Sequence, residues 1–269
     1  MSEAPQAHLL LIDGLNVARR VYEANPAPES PEKIEGAVRS TKSSLYRALV
    51  EHSPTHLMLA VDAPGPTWRH ALNPDYKKGR KPMPELLRAG LATLWDELRS
   101  KGWLVLEPPG YEADDVLASA TAVAEACGVR CTVLSTDKDL VYLLSLGARV
   151  YDHFGRINRD EAWCLQKLGV KPAQVLDWLA LKGDSVDNII GIDKVGGKTA
   201  AKLLAEFGDL ETALLRAQEG AIPGKLGERL REGAGIARAA RQLTALKTGC
   251  FKSSFNWDKL NQFELPPPR

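Results

Sequence analysis

The sequence predicts an α/β protein, with a mostly parallel central sheet flanked by helices. The main observation is a set of three short apolar runs, at 8–12, 56–61 and 131–136. Continuous apolar runs of this length are typical of strands that are buried on both faces of a parallel sheet. Helical segments separate the runs, and strands that alternate with helices form βαβ units.

The pattern along the chain also predicts the domain organisation. A proline-rich loop at 25–31 precedes a helix predicted at about 34–51, and another apolar helix begins near residue 112. From Lys171 onwards, short helices and turns replace strand-like runs. We therefore predict an α/β domain over residues 1–170, a helical subdomain over 171–250 and an extended tail over 251–269.

Composition excludes several classes of protein. A chain of 269 residues, 44% of them hydrophobic, can form one large core and a subdomain. The N-terminus does not have the pattern of a signal peptide, and no apolar run reaches the ~20 residues that span a bilayer. The four cysteines follow no zinc or disulfide spacing, which favours a reducing compartment. We therefore expect a soluble, monomeric, cytoplasmic protein without membrane contact.

Acidic residues follow the predicted strands. The first two strands end at Asp13 and Asp62, and the third leads into Asp137 and Asp139. The carboxyl ends of parallel strands lie at one edge of the sheet, where ligands bind in such folds. A single aspartate at a strand end is commonly a turn residue or a helix cap, but convergence of several indicates a site.

A predicted helix at the same edge begins with three carboxylates in four positions. These are Glu112, Asp114 and Asp115, followed by apolar residues at helical spacing. Helix capping explains one of these acids, because the N-terminus of a helix favours negative charge. The whole acidic set would repel itself unless cations lay within it. Oxygen ligands alone suit magnesium, manganese or calcium rather than zinc, so we predict a metal site here.

The segment 68–102, between the second strand and the acidic helix, is much longer than the ~2–6 residues of a typical βα connection. Its first part combines two aromatic residues, Trp68 and Tyr76, with positive charge. The basic residues are Arg69, Lys77, Lys78, Arg80, Lys81 and Arg88. A solvated connector is one interpretation, and a segment that contacts phosphates and bases is the other. The length favours the second interpretation.

A turn-rich stretch at 183–200 ends in a sequence similar to a phosphate-binding P-loop. The P-loop spacing fails, because Ile192 stands where a glycine is required. The stretch instead predicts two helices joined by a glycine hairpin, the second helix starting near Gly197, with Lys198 and Lys202 beside a bound phosphate. A further basic helical part at 225–247 favours a DNA or RNA partner, although the net charge is only +1.

These motifs together resemble those of the 5′-nuclease (flap endonuclease-like) family over about residues 8–209. That family includes the 5′→3′ exonuclease domain of bacterial DNA polymerase I, phage 5′-nucleases and stand-alone exonuclease IX-type proteins. The matching motifs are Ile12-Asp13-Gly14, Val61-Asp62, Tyr76-Lys77-x-x-Arg80, Gly110-Tyr111-Glu112-Ala113-Asp114-Asp115, Thr136-Asp137-Lys138-Asp139 and Gly183-Asp184-x-x-Asp187-Asn188.

The resemblance implies a site for two divalent ions, Mg²⁺ with Mn²⁺ as a substitute. The first ion would take Asp13, Asp62, Glu112 and Asp114, and the second would take Asp137, Asp139, Asp184 and Asp187, with Asp115 close to both. Asp184 and Asp187 enter the prediction only through the resemblance, because their motif alone indicates a turn.

The resemblance also implies a path for DNA. Residues 74–101 would form a helical arch around a 5′ single strand, with Lys77 and Arg80 at its base against the scissile phosphate. A helix-hairpin-helix subdomain would hold the duplex, with a potassium ion in its hairpin. The expected DNA contacts are Arg69, Tyr76, Lys77, Lys78, Arg80, Lys81, Gly191, Gly196, Gly197, Lys198, Thr199 and Lys202. The implied activity is that of a structure-specific 5′ nuclease, cutting as a 5′→3′ exonuclease and as a flap endonuclease in replication and repair.

Two departures from the family pattern affect the hairpin. Ile190 replaces a proline and Lys194 replaces a glycine, and the loss of a glycine counts against the potassium site. Two other functions stay open at this point: a junction-binding scaffold that has lost catalysis, and a ribonuclease of the related PIN-like class. The complete set of acids favours an active nuclease.

Overall fold

The structure is a computed structural model and describes residues 7–250, 260 and 263. Its centre is one sheet of six strands. These are β1 (His8–Asp13), β2 (His56–Ala60), β3 (Leu104–Leu106), β4 (Arg130–Leu134), β5 (Arg149–Asp152) and β6 (Ile157–Asn158). The predicted α/β class is confirmed, as are the three predicted strands. The other three strands are short and lie towards the sheet edges, and the sequence analysis did not predict them.

The strand order is β3-β2-β1-β4-β5-β6. Every pair is parallel except the last, in which β6 runs antiparallel to β5. The chain first builds outwards from β1 through β2 to β3, and then crosses to the other side of β1 to form β4. This reversal places a switch point between β1 and β4, at whose carboxyl ends open α/β sheets bind ligands.

Helices cover both faces of the sheet. The helices of this part are α1 (Gly14–Glu23), α2 (Pro31–His52), α3 (Trp68–Leu72), α4 (Glu85–Ser100), α5 (Ala113–Ala126) and α6 (Glu161–Leu168), with a 3₁₀ helix at Asp139–Leu146. Alternate side chains of β1 enter opposite cores: Leu10 and Ile12 pack with the helices α2 and α4, whereas Leu9 and Leu11 pack with α5. Burial on both faces explains why the central strands are apolar without alternation.

The C-terminal part is helical, as predicted. A short 3₁₀ helix at Pro172–Gln174 leads into it, and its helices are α7 (Val175–Lys182), α8 (Gly197–Phe207), α9 (Leu210–Gln218), α10 (Gly224–Glu232) and α11 (Ala234–Thr244). They share a third apolar core, to which Tyr76 and Val141 of the first part also belong. The predicted helical part at 225–247 is two helices that meet at Gly233. The predicted tail at 251–269 lies outside the described residues, apart from 260 and 263.

The segment predicted as an arch, 74–101, consists of two different parts. Residues 73–84 lack a regular helix, whereas α4 is an amphipathic helix that packs on α2 through side chains such as Leu87, Leu91 and Trp95. The basic residues expected to contact DNA lie in the irregular part. Among the described residues, no helix is both long enough and apolar enough to cross a membrane.

Candidate active site

A cavity of about 500 Å³ opens at the carboxyl edge of the sheet. Four of the predicted acids line it: Asp13, Asp62, Asp114 and Asp137. Basic side chains share the lining, namely Arg19, Lys77, Arg80 and Lys81. The strand ends therefore bring together carboxylates that are more than a hundred residues apart in sequence, with positive charge beside them.

Hydrogen bonds fix the acids at the strand ends. Asp13 caps α1 by accepting from the backbone N–H of Asn16 at 3.1 Å, and its other oxygen accepts from the Ser135 hydroxyl at 3.0 Å. Asp62 accepts from the backbone N–H of Ala113, the first residue of α5, at 2.7 Å. Both aspartates therefore accept hydrogen bonds from the N-terminal turn of a helix, and these bonds also orient their carboxylate oxygens.

A second, smaller cavity adjoins the first. Asp114 lines both cavities, and in the second it is joined by Asp139, Asp184 and Asp187. A small antiparallel bridge between Asp184 and Ile189 holds the turn that carries the last two acids. The structure therefore brings Asp184 and Asp187 to the same place as the strand-end acids.

Mutual repulsion and burial disfavour the ionised form of these acids. Burial raises the pKa of Asp13 to about 7, and the charges of Asp62 and Asp137 add to the effect. Burial also raises the pKa of Asp114 well above its usual value, with further contributions from Asp137 and Asp13. Burial also raises the pKa of Asp139 well above its usual value, and the charge of Asp137 adds to the effect. In the absence of cations, the cluster is therefore an unfavourable concentration of negative charge.

The donor set fits hard divalent cations. All candidate ligands in the two cavities are carboxylates, and one buried oxygen, Oδ1 of Asp139, has no hydrogen-bond partner among the described residues. A buried carboxylate oxygen without a donor is costly, and a cation would satisfy it. Oxygen ligands with net negative charge are the ligands that Mg²⁺ and Mn²⁺ prefer.

Stability of the metal-free protein should fall as pH rises. The pKa of Asp13 is about 7 in the folded state against an ordinary 3.8, so between these values the folded chain holds a proton that the unfolded chain has released. The free energy of unfolding therefore decreases with pH through this range.

Mg²⁺ should raise the melting temperature more at about pH 8 than at about pH 5.5, because protons compete with it. Thermal unfolding with Mg²⁺ or EDTA measures both effects. Asp13→Asn, which keeps the helix cap, should flatten the pH dependence, and an equal Mg²⁺ shift at both pH values would contradict the account.

Two predicted ligands, Glu112 and Asp115, have other partners. Arg69 donates to both oxygens of Asp115, at 2.8 and 3.0 Å, and to Oε2 of Glu112 at 3.0 Å. Asp115 is fully buried, and it also accepts from the Trp68 indole and from the backbone N–H of Lys247. In the described part of the chain, neither acid lines the two cavities. In this structure Asp115 therefore anchors Arg69, and its placement close to both metal positions stays a prediction.

Arg69 is not a DNA contact in this structure. Its side chain is 3% exposed, and in addition to the two acids it donates to the carbonyl oxygens of Leu243 and Ala245. Burial alone would lower the pKa of Arg69, but Glu112 and Asp115 raise it, so the guanidinium stays charged. The prediction from charge type was wrong at this position: Arg69 joins the acidic helix α5 to the end of α11.

Asp115→Asn should therefore lower stability while leaving metal binding largely intact. Loss of the carboxylate leaves the buried Arg69 undercompensated, which we expect to cost about 1–3 kcal/mol of unfolding free energy. Urea unfolding measures the loss, and the Mg²⁺-induced shift in melting temperature measures metal binding. Glu35→Gln is a matched control, since it breaks an exposed ion pair with Arg39 and should change stability by less than about 0.5 kcal/mol. Loss of the Mg²⁺ shift in Asp115→Asn would restore Asp115 as a ligand.

Tyr76 is likewise buried rather than available for stacking on a base. It is 4% exposed, and its hydroxyl donates to Glu112 at 3.2 Å and to Asp187 at 3.4 Å. The predicted role of Tyr76 in stacking is therefore corrected to one of holding two acids. Lys78 is exposed and paired with Asp75, and Lys81 lines the mouth of the cavity.

Lys77 and Arg80 both line the larger cavity. The ammonium of Lys77 is 2.9 Å from Oε1 of Glu112, and the guanidinium of Arg80 contacts Asp187. Lys77 adopts a left-handed backbone conformation with φ of 58°, and its N–H donates to the carbonyl of Asp187 at 2.9 Å. A second contact, from the Asn188 amide to the carbonyl of Asp75, also ties the basic segment to the acidic turn. The ordered backbone therefore holds both cations over the acids.

Two cations of the described site, Arg19 and Lys138, were not singled out from the sequence. Lys138 lies between Asp137 and Asp139, and its ammonium is 2.8 Å from Asp184. Burial alone would raise the pKa of Asp184, but the hydrogen bond and the charge of Lys138 outweigh it and lower the pKa. The signal in the sequence that could have identified Lys138 was its position between Asp137 and Asp139.

The glycine hairpin has the predicted geometry. Helix α8 begins at Gly197, and no side chain of the described residues caps its first turn, so its N–H groups face outwards beside the exposed Lys198 and Lys202. A side chain at Gly191 would clash with the backbone of Gly183 at 2.2 Å, which explains that glycine. Lys194, which replaces a glycine of the family pattern, adopts a left-handed φ of 56°, a conformation that favours glycine and costs some strain with lysine.

Several arginines of the second basic zone have partners within the protein. Arg238 pairs with Glu211 and Arg241 pairs with Asp177, while Arg231 donates to the carbonyl of Ala217. These three arginines therefore join helices of the C-terminal part to one another.

The sheet order, the acidic edge and the helical module together define a 5′-nuclease fold. T5 5′-exonuclease, in a solved structure titled as having divalent zinc ions bound, superposes with a TM-score of 0.74 at 21% identity, over 90% of this chain and 91% of that one. The catalytic core of Rad2 in complex with a DNA substrate superposes with a TM-score of 0.55 at 13% identity, over 94% of this chain and 83% of that one.

Sequence comparison identifies the family. The 5′-3′ exonuclease N-terminal resolvase-like domain matches residues 8–169, and the 5′-3′ exonuclease C-terminal SAM fold matches 170–266. Relatives named flap endonuclease Xni are 35% identical in Vibrio vulnificus (strain CMCP6), covering 90% of this chain and 92% of the relative, and 40% identical in Shewanella baltica (strain OS195), covering 89% of each. This chain belongs to the 5′-3′ exonuclease family, and the predicted resemblance is confirmed.

Proposed function

We propose that this protein is a structure-specific 5′ nuclease that hydrolyses DNA phosphodiester bonds at junctions between single strands and duplex. The observation that carries the proposal is the pair of carboxylate-lined cavities joined at Asp114, with Lys77 and Arg80 beside them. Such an arrangement can hold cations and accept a phosphate at the same edge. The names of the flap endonuclease relatives agree with it.

The chain's own residues have two roles in this proposal. Asp13, Asp62, Asp114 and Asp137 in the first cavity and Asp139, Asp184 and Asp187 in the second would hold two divalent ions. When bound, such ions supply a water that is deprotonated near neutral pH and neutralise charge on the phosphate. Lys77 and Arg80 then place positive charge where the transition state gains negative charge. We propose Mg²⁺ as the ion used, with Mn²⁺ able to replace it.

DNA would be held by phosphate contacts on both sides of the site. The basic segment at 73–84 lies at the cavity mouth, and we propose that residues 74–101 act as the arch beneath which the 5′ single strand passes. Lys198, Thr199 and Lys202 at the start of α8 would hold the duplex, with Gly196 and Gly197 allowing close approach. Phosphate contacts position a strand without specifying its sequence, so recognition would depend on the shape of the junction. A potassium ion in the hairpin, a monomeric state and a cytoplasmic location are further predictions.

A substrate panel tests the proposal. A 5′-flap duplex, a nicked duplex and a single-stranded RNA are incubated with the protein in Mg²⁺, Mn²⁺ or EDTA. We expect cleavage of the flap near the junction in either metal and none in EDTA. An intact flap that is nevertheless tightly bound in Mg²⁺ would favour a scaffold. Faster cleavage of the RNA than of the flap would favour a ribonuclease.

A further inference from the structure

A second group of metal-ligating side chains lies on a different part of the fold. Glu51 and His52 end helix α2, and His153 follows strand β5. Each offers one ligand atom, and these three atoms all lie within 4.8 Å of one another. None of the three residues lines the acidic cavities. They therefore form a separate cluster.

The imidazoles of this cluster lack hydrogen-bond partners. In the described part of the chain, Nε2 of His52 and both ring nitrogens of His153 are buried without a partner. The side chain of His153 is only 4% exposed, so water does not freely compensate it. Buried polar groups are nearly always satisfied in native proteins, so unpartnered ring nitrogens beside a carboxylate are consistent with a ligand that binds there.

A simple ion pair does not explain the cluster. Nδ1 of His153 lies 3.4 Å from Oε2 of Glu51, but that contact leaves His52 Nε2 and His153 Nε2 unsatisfied. Burial lowers the pKa of both His52 and His153, and the nearby charge of Arg47 lowers that of His153 further. The contact with Glu51 therefore does not account for the two buried rings.

We propose that Glu51, His52 and His153 bind a transition-metal ion of the Zn²⁺ type. Two imidazoles and one carboxylate suit zinc, cobalt or nickel, whereas Mg²⁺ prefers oxygen ligands alone. Bonds of about 2.0–2.1 Å in a tetrahedron place ligand atoms about 3.3 Å apart, so only small side-chain movements are needed. The Tyr151 hydroxyl donates to Oε1 of Glu51 at 2.7 Å and orients the carboxylate from behind, as second partners of metal ligands commonly do. A water would complete the coordination.

The site would join two elements that are far apart in sequence. It would connect the last turn of α2 to the turn after β5, and a bound ion would stabilise the folded state by mass action. This inference does not depend on the nuclease proposal, because the two sites share no residue.

Zinc titration in excess Mg²⁺ tests the site, since Mg²⁺ fills carboxylate sites and competes poorly for imidazole. Calorimetry compares the wild type with His153→Ala, Glu51→Gln and His56→Gln. Glu51→Gln keeps an acceptor for the Tyr151 hydroxyl at a partly exposed position. His56→Gln is a control for the loss of a histidine. We expect zinc affinity to fall more than about 100-fold in His153→Ala and at least about 10-fold in Glu51→Gln, and to be unchanged in His56→Gln. Melting temperatures in EDTA verify that each variant folds.

Cobalt absorption gives a readout of the ligands themselves. The wild type should show the visible bands of a tetrahedral or five-coordinate Co²⁺ ion without thiolate charge-transfer bands, and Glu51→Gln and His153→Ala should lose them. Zinc affinities that are the same in all folded variants would overturn the proposal. Cobalt spectra with thiolate bands would also overturn it, because they would assign the ion to cysteine.

Discussion

Replacement of Asp114 by asparagine should reduce flap cleavage by about 10³-fold or more while leaving DNA binding nearly unchanged. Asp114 lines both carboxylate cavities, so its charge serves both proposed metal positions. Loss of a side chain that orients a metal ligand lowers metal affinity or activity about 10–100-fold, and loss of a ligand common to two ions should have a larger effect. Single-turnover cleavage in saturating Mg²⁺ and a flap-binding titration in Ca²⁺ measure the two effects separately.

The same variant should be more stable than the wild type in EDTA. Burial and the charges of Asp137 and Asp13 raise the pKa of Asp114, so removing its charge relieves repulsion in the folded state. Gain of stability with loss of activity distinguishes a functional acid from a structural one. Asp96→Asn, at an exposed position in α4 that pairs with Arg99, is the matched control and should change neither property. Near-normal cleavage by Asp114→Asn would remove Asp114 from the site.

Lys77→Ala should slow cleavage by about 10²–10³-fold at saturating DNA. The ammonium of Lys77 lies at the cavity beside Glu112, and its side chain is only 17% exposed, so its charge acts with little screening by water. The left-handed backbone of Lys77 disfavours lysine and alanine to a similar extent, so the substitution tests the side chain alone. Single-turnover rates at saturating substrate report the chemical step.

Lys78→Ala provides a control at the next residue. Lys78 is 73% exposed and pairs only weakly with Asp75, so its loss should reduce DNA affinity slightly and leave the single-turnover rate unchanged. If Lys77→Ala has the same single-turnover rate as the wild type and only weaker binding, Lys77 positions DNA and has no part in transition-state stabilisation.

The sequence was informative about the fold where burial is complete. The continuous apolar runs of β1, β2 and β4 identified strands, because a strand covered on both faces has no polar side to mark it. The edge strand β6 has two residues and depends on pairing with β5, so no local pattern indicated it. The apolar run at 103–106, which contains the three residues of β3, was too short to be singled out. The proposed arch includes α4, but helical periodicity does not say which surface a helix packs against, so the packing of α4 on α2 was not predicted.

The site was predictable at the strand ends, where topology alone brings side chains together. Asp13, Asp62 and Asp137 converge because three parallel strands end at one edge. Charge type misled elsewhere, since Arg69 looks like a phosphate contact in sequence but is almost fully buried against Asp115. Nothing local distinguishes a buried arginine from an exposed one before the tertiary structure is known.

Asp184 and Asp187 illustrate a different limit. They lie in a turn of the helical part, and in sequence they have the spacing of ordinary turn residues. Only the docking of that turn on the basic segment, through the Lys77 N–H and the Asn188 amide, carries them to the sheet edge. Such long-range placement was available only from the resemblance to a family.

A crystal structure with Mn²⁺, located by its anomalous scattering, would test the proposed catalytic centre most directly. We predict two peaks about 3.5–4 Å apart, one among Asp13, Asp62 and Asp114 and the other near Asp139, Asp184 and Asp187. Crystals soaked in Mn²⁺ whose peaks lie away from these carboxylates, or that show no peak there, would contradict the assignment of this acidic edge as a two-ion nuclease site.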